Sequence, residues 1–164
     1  MNMMAVLNAL YYKYTGQTDI IIGTVTAGRP HHDLEQVMGM FVNTHAIRNH
    51  PEGEKTYEAF LKEVVRDSLD ALKYQDIQLE DLVDKLALPR DARRNPLFDV
   101  MFVLQNQEEY TGNIIPRDLP LSNPSEEIGG EVAKFDITLE AVEVGDSVQF
   151  SLQYCTKLFK KETM

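Results

Sequence analysis

The chain has 164 residues, 43% of them hydrophobic, with 26 acidic against 16 basic side chains and a formal net charge of −10. That apolar share suffices for a core and argues against disorder, while the acidic balance argues against nucleic acid, whose phosphates demand clustered Lys and Arg. No apolar run approaches a bilayer span, no charged-then-apolar segment opens the chain, and the single cysteine, Cys155, excludes an intramolecular disulfide framework; a cytoplasmic protein with no membrane partner is expected.

Met3, Met4, Leu7, Leu10 and Tyr11 recur at three- and four-residue steps, which predicts a first helix ended by Gly16. Asp19 to Ala27 is β-branched and nearly continuous, as in a strand buried on both faces. Gly28 to Gln36 reads as a loop, and Phe41 to Arg48 returns to strand character. An unbroken pleat there puts Phe41, Asn43, His45 and Ile47 on one face, and Val42, Thr44, Ala46 and Arg48 on the other. Thr56 is a predicted N-cap with Glu58 in the first turn. The helix it opens carries an apolar stripe of Tyr57, Phe60, Leu61, Val64, Val65, Leu69 and Leu72. A shorter helix holds Leu79, Leu82, Val83 and Leu86, closed by Pro89.

Leu97 to Gln105 alternates again, with Phe98, Val100, Phe102 and Leu104 on one face. Residues 108–130 contain three prolines and three glycines with few apolar anchors, so a long irregular crossing is expected. A hairpin closes the pattern: Phe135, Ile137, Leu139 and Ala141 face Val148, Phe150, Leu152 and Tyr154 across a Gly145-Asp146 turn. Cys155, at the end of this alternation, reads as a buried inert thiol, and Lys157 to Met164 as the first turn of a further helix. Strands and helices interleave, which gives an α/β fold with a mixed sheet.

Three stretches, in order, resemble signature motifs of nonribosomal peptide synthetase condensation domains. Met38-Gly39-Met40-Phe41-Val42-Asn43-Thr44-His45-Ala46-Ile47-Arg48 is similar to a family pattern of Ile or Val, Gly, any, Phe-Val-Asn-Thr, Gln or Leu, Cys or Ala, any, Arg; Met38 and His45 depart from it. Tyr74-Gln75-Asp76-Ile77-Gln78-Leu79-Glu80 keeps Gln75, Asp76 and Glu80 of the second. Arg90-Asp91-Ala92-Arg93-Arg94-Asn95-Pro96-Leu97 matches the third except at Arg93. Tyr14 to Gln17, Ala27 to His31 and Ala133 to Asp136 also resemble the family, so the likeness covers essentially the whole chain.

The resemblance implies a chloramphenicol acetyltransferase-like sandwich: a mixed β-sheet with helices on one face and a C-terminal antiparallel hairpin. It makes residues 1–164 the C-terminal lobe of a condensation domain, without the first lobe or a final helix, and makes 108–130 an arm crossing to that first lobe. The implied reaction joins a carrier-tethered acyl or peptidyl thioester to the amine of a carrier-tethered aminoacyl thioester. The implied partners are the N-terminal lobe, peptidyl carrier proteins and an adjacent adenylation domain. Phosphopantetheine would arrive on the carriers, with no cofactor bound directly. Self-association through surface meant for the first lobe is a further expectation. The family's catalytic His-His-any-any-any-Asp-Gly motif belongs to the first lobe, so no catalytic residue is expected here. The isolated chain is expected to be inactive. A non-catalytic carrier-docking or scaffolding module, or an epimerisation or cyclisation relative, is the alternative.

His31-His32 is a false match to that motif, because the Asp and Gly positions hold Gln36 and Val37. His31, His32, His45 and His50 show no metal-ligand spacing. Asn43 is the leading candidate for a polar group facing the reacting atoms, since an amide donates and accepts without a shifted pKa. The alternative is that Asn43 and Thr44 satisfy backbone groups at a strand irregularity. Thr44 and His45 complete the expected tunnel lining, with a structural role for His45 as its alternative. Gly39, Phe41, Arg48, Gln75, Asp76, Arg90, Asp91, Arg94, Asn95 and Pro96 are read as structural. Asp76 would cap the short helix, and the Arg-Asp pair with Asn-Pro would fix a turn through bonds to neighbouring carbonyls. Gly28 to Gln36 resembles the family's loop beneath the tunnel.

Overall fold

A computed structural model describes residues 1–29, 31–34, 36–88, 94–106, 133–144 and 146–164. Pro30, Pro89, Arg90, Asp91, the expected arm at 108–130 and Gly145 of the expected turn lie outside the described residues. Two compact units divide the chain, Met1–Phe102 and Val103–Met164. The first holds α1 (Asn2–Thr15), β1 (Ile20–Thr26), β2 (Asn43–Asn49), α2 (Tyr57–Leu72), α3 (Leu79–Lys85) and the start of β3 (Val100–Asn106). The second holds the end of β3 with β4 (Ile137–Val144) and β5 (Ser147–Tyr154). In the first unit β1 lies between β2 and β3, and in the second β4 lies beside β5. β1 runs antiparallel to β2 and parallel to β3, and β4 runs antiparallel to β5, so the sheet is mixed as expected.

The predicted helix boundaries rest on local chemistry that the structure shows. α1 ends at Gly16, in the left-handed region at φ 70°, whose N–H donates to the Tyr12 carbonyl at 2.8 Å. α2 opens at Thr56, whose hydroxyl accepts the Ala59 N–H at 3.3 Å, with Glu58 near the positive end of the helix.

Register then decides which face is buried. Ile22 lies opposite Ile47 and Thr24 opposite His45, so Ile20, Ile22, Thr24 and Thr26 share one face with Asn43, His45, Ile47 and Asn49. The helices cover that face: α2 and α3 pack on β2, and α1 packs on α2 and β1. The core between them is Met4, Ala5 and Leu7 with Ile22, Ile47, Phe60, Val64 and Val83, all buried. On the opposite face the Phe98 ring lies against Gly23, so close that a Cβ there would sit 2.2 Å from it.

Several expected faces are corrected. In α1, Leu10 is exposed and Asn8 is buried. In α2 the inward line is Phe60, Val64 and Ser68 at four-residue steps, while Leu69 and Leu72 are exposed. The apolar stripe of α2 is wider than the surface beneath it, and its outer edge forms an open groove of Val65, Leu69 and Leu72 flanked by Lys62, Arg66 and Lys73. Phe98 precedes β3 instead of lying in it, Met101 and Phe102 are both buried, and Leu104 is exposed. A strand covered on both faces has no reason to alternate.

In the second unit, β4 pairs antiparallel with β5 in register from Ile137 opposite Tyr154 to Val144 opposite Ser147. Leu139 faces Leu152 and Ala141 faces Phe150. Ile137 and Ala141 are buried, whereas Phe150 is 59% exposed. Cys155 lies just past β5 and is half-buried, not buried as expected. Its N–H donates to the Asp136 carbonyl at 2.9 Å. Lys161–Thr163 forms a 3-10 turn. Among the described residues, no helix is long and apolar enough to cross a membrane.

Candidate functional site

Three of the four inward positions of β2 are polar: Asn43, His45 and Asn49 are 6%, 8% and 1% exposed. Burial of such groups demands partners. The Asn43 amide donates to the carbonyls of Gln75 at 2.7 Å and Ile77 at 2.9 Å, while its oxygen accepts the Thr44 N–H at 2.9 Å. Both donors and one lone pair are thereby taken, and the start of β2 is tied to the connector between α2 and α3. Any contact of Asn43 with a reacting atom is left to the second lone pair of its oxygen. Thr44 points to the opposite face and is half-buried.

That clamp gives the second motif a backbone role. Asp76 does not cap α3, which begins at Leu79 after Gln78, with no side-chain cap bond. The helix starts too far along the chain for Asp76 to reach its free N–H groups. The connector instead offers the carbonyls of Gln75 and Ile77 to Asn43.

His45 Nε2 and the Thr26 hydroxyl lie 2.9 Å apart, with the hydroxyl donating when the ring proton sits on Nδ1 and accepting in the other tautomer. Burial lowers the His45 pKa below its ordinary 6.5, because a half-dry site disfavours the imidazolium. The ring is neutral near pH 7. At the far end of the same face, the Asn8 amide donates to Asn49 Oδ1 at 3.1 Å and to the Met4 carbonyl at 2.9 Å, which ties α1 to β2. Among the described residues, Asn8 Oδ1 and Asn49 Nδ2 find no partner.

The remaining motif residues hold backbone in place. Arg48, on the outer face, grips Asp19 with both ends of its fork, Nε to Oδ1 at 2.8 Å and Nη2 to Oδ2 at 2.6 Å. The bond from Arg48 keeps the Asp19 carboxyl below the usual carboxylate range. Arg94 makes the same fork on the Asp99 carboxylate. Asn95 Oδ1 accepts the N–H groups of Leu97 at 3.1 Å and Phe98 at 3.4 Å, an Asx turn that sets the Phe98 ring. Pro96 is exposed within that turn.

The loop from β1 to β2 is held by a pair that sequence reasoning did not single out. Gly28 has φ 64°, and a Cβ there would fall 1.7 Å from the Phe41 carbonyl oxygen. Next to it, Arg29 donates from Nη1 to the carbonyls of Leu34 and Val37, the latter at 2.9 Å, and from Nη2 to the Gly39 carbonyl at 3.3 Å. Its guanidinium carbon sits 4.3 Å from the centre of the Phe41 ring. The available signal was a Gly-Arg pair leaving a strand shortly before Gly39 and Phe41. His31 is exposed and its Nδ1 lies 3.3 Å from Asp33 Oδ2. Among the described residues, no three His, Cys, Asp or Glu side chains group to hold a metal.

The family model for the condensation domain matches residues 1–164. The chain is 48% identical to bacitracin synthase 3 of Bacillus licheniformis over 164 residues, all of this chain and 2% of that protein. It is 47% identical to gramicidin S synthase 2 of Brevibacillus brevis, again over the whole chain and 4% of the relative. It therefore spans a few hundredths of the length of these curated relatives. A four-domain nonribosomal peptide synthetase solved with AMP and glycine superposes with a TM-score of 0.82 at 25% identity, covering 99% of this chain and 13% of that one. The mixed sheet, the polar β2 face and a match along every residue lead to one conclusion: this chain belongs to the condensation-domain family of nonribosomal peptide synthetases.

Proposed function

We propose that the chain forms one wall of a chamber in which a carrier-tethered acyl or peptidyl thioester is joined to the amine of a carrier-tethered aminoacyl thioester. The observation that carries this reading is the family match over residues 1–164, in a sequence that contains no His-His-x-x-x-Asp-Gly. The amine nitrogen attacks the thioester carbon, the C–N bond forms, the C–S bond breaks and the donor carrier leaves as its thiol. Handling the ammonium proton falls to a histidine on a second lobe. This chain supplies backbone-braced surface: β2 with its polar clamps and the loop from Gly28 to Phe41. Phosphopantetheine enters as part of the carrier substrates. The partners are the histidine-bearing lobe, carrier proteins and an adjacent adenylation domain, and copies of the chain associate when that lobe is missing.

The test is the intact mass of an acceptor carrier incubated with a loaded donor carrier. The chain alone leaves the mass unchanged. The chain with a histidine-bearing first lobe adds the donor acyl group as a base-stable amide. Transfer by the chain alone would overturn the reading, as would transfer by the first lobe that the chain does not improve.

A further inference from the structure

One guanidinium gathers three backbone carbonyls of the β1–β2 loop. The carbonyls of Leu34, Val37 and Gly39 all turn inward onto Arg29, which also stacks on Phe41, the residue whose carbonyl crowds Gly28. When carbonyls turn in, intervening side chains turn out. Met38 is 96% exposed and Met40 is 94% exposed, with Val37 and Val42 at 45% and 60% beside them. A braced loop of this kind presents a ridge of flexible apolar side chains directly before β2, whose first residue is the clamped Asn43.

We propose that Arg29 is a positioning residue for the condensation reaction. By chelating three carbonyls and capping Phe41, it fixes the height of the Val37–Val42 ridge against the reaction chamber. What the ridge faces rests on the condensation reading above; what Arg29 holds rests on the bonds themselves. A planar fork with several donors can bridge three oxygens and lie on a ring at once, whereas an ammonium is a point charge that cannot do both. Charge alone is therefore insufficient, and R29K separates the fork from the charge.

The experiment has two arms on R29A and R29K. In the 164-residue chain, hydrogen exchange at Met38, Gly39, Met40 and Phe41 speeds up in both variants, while exchange in α2 and the midpoint of thermal unfolding change little. In a complete condensation domain carrying this segment, kcat falls roughly 100-fold in both variants, the size expected for misplacing a reacting group by about 1 Å, with little change in KM for the loaded carriers. R29K behaving as the wild type in either arm would overturn the proposal, because charge would then suffice. Global unfolding of both variants would also overturn it, since Arg29 would be a structural prop. If the wild-type domain makes no amide, the condensation reading fails, and the proposed role of Arg29 in the reaction fails with it. The exchange arm still reports whether Arg29 holds the loop, so the two failures are distinguishable.

Discussion

Three hydrogen bonds leave the Asn43 amide one open lone pair, and two of them satisfy carbonyls of a segment more than thirty residues away. Removing the side chain strands those carbonyls, so N43A costs about 2–3 kcal/mol, measured by urea unfolding. N43D has nearly the same shape but turns an anionic oxygen toward the Gln75 and Ile77 carbonyls. Its loss is larger than that of N43A at neutral pH and shrinks in acid, as the carboxyl regains a donor. Equal stability of N43D and the wild type at neutral pH would show that the clamp is unimportant. His45 carries a second prediction at this scale. Unfolded, it titrates near its ordinary 6.5; folded, it titrates lower because of burial. Between those values the unfolded chain binds more protons, so the stabilisation is whole above the unfolded pKa and declines as pH falls through the window beneath it. H45Q, which restores a residue type that the family pattern carries, flattens the thermal midpoint as pH falls below the ordinary histidine value of 6.5. An unchanged slope would contradict the assignment.

Packing between elements depends on close approaches that small residues permit. The Asx turn at Asn95 delivers the Phe98 ring onto Gly23 of β1, where no Cβ fits. G23A therefore destabilises by about 1–3 kcal/mol, and F98L recovers part of that loss in the double variant but not alone. Strict additivity in denaturant titrations would place the ring elsewhere. Much at this scale was legible in the sequence, because the signals are local. The Thr56 cap, the alternation of β2 and the pairing of β4 with β5 each follow from neighbours a few residues apart. What was not legible depends on partners far along the chain. Asn8 looks like a break in the α1 stripe until Asn49 is beside it, 41 residues on. The α2 pattern does not reveal that Ser68 is covered while Leu69 is open, since periodicity counts apolar residues and not the surface available to bury them. Arg29 was missed because its targets are backbone carbonyls, which every sequence contains.

At the scale of the whole molecule, several large apolar side chains among the described residues stand open. Met38, Met40 and Val42 stand out in the first unit, and Phe150, Leu152 and Leu158 in the second. Patches of this kind find partners. Sedimentation velocity is expected to show concentration-dependent association of the chain, weakened by F150K; a strictly monomeric species at high concentration would contradict this. The central claim is the proposed complementarity: that this chain forms one wall of a two-sided chamber. The measurement that tests it most directly is amide yield as this chain is titrated into a fixed amount of the histidine-bearing lobe with loaded carriers in excess. The account predicts no product without the lobe and a yield that rises to a plateau at one chain per lobe. Product formed in the lobe's absence, or a yield indifferent to the amount of this chain, would contradict it.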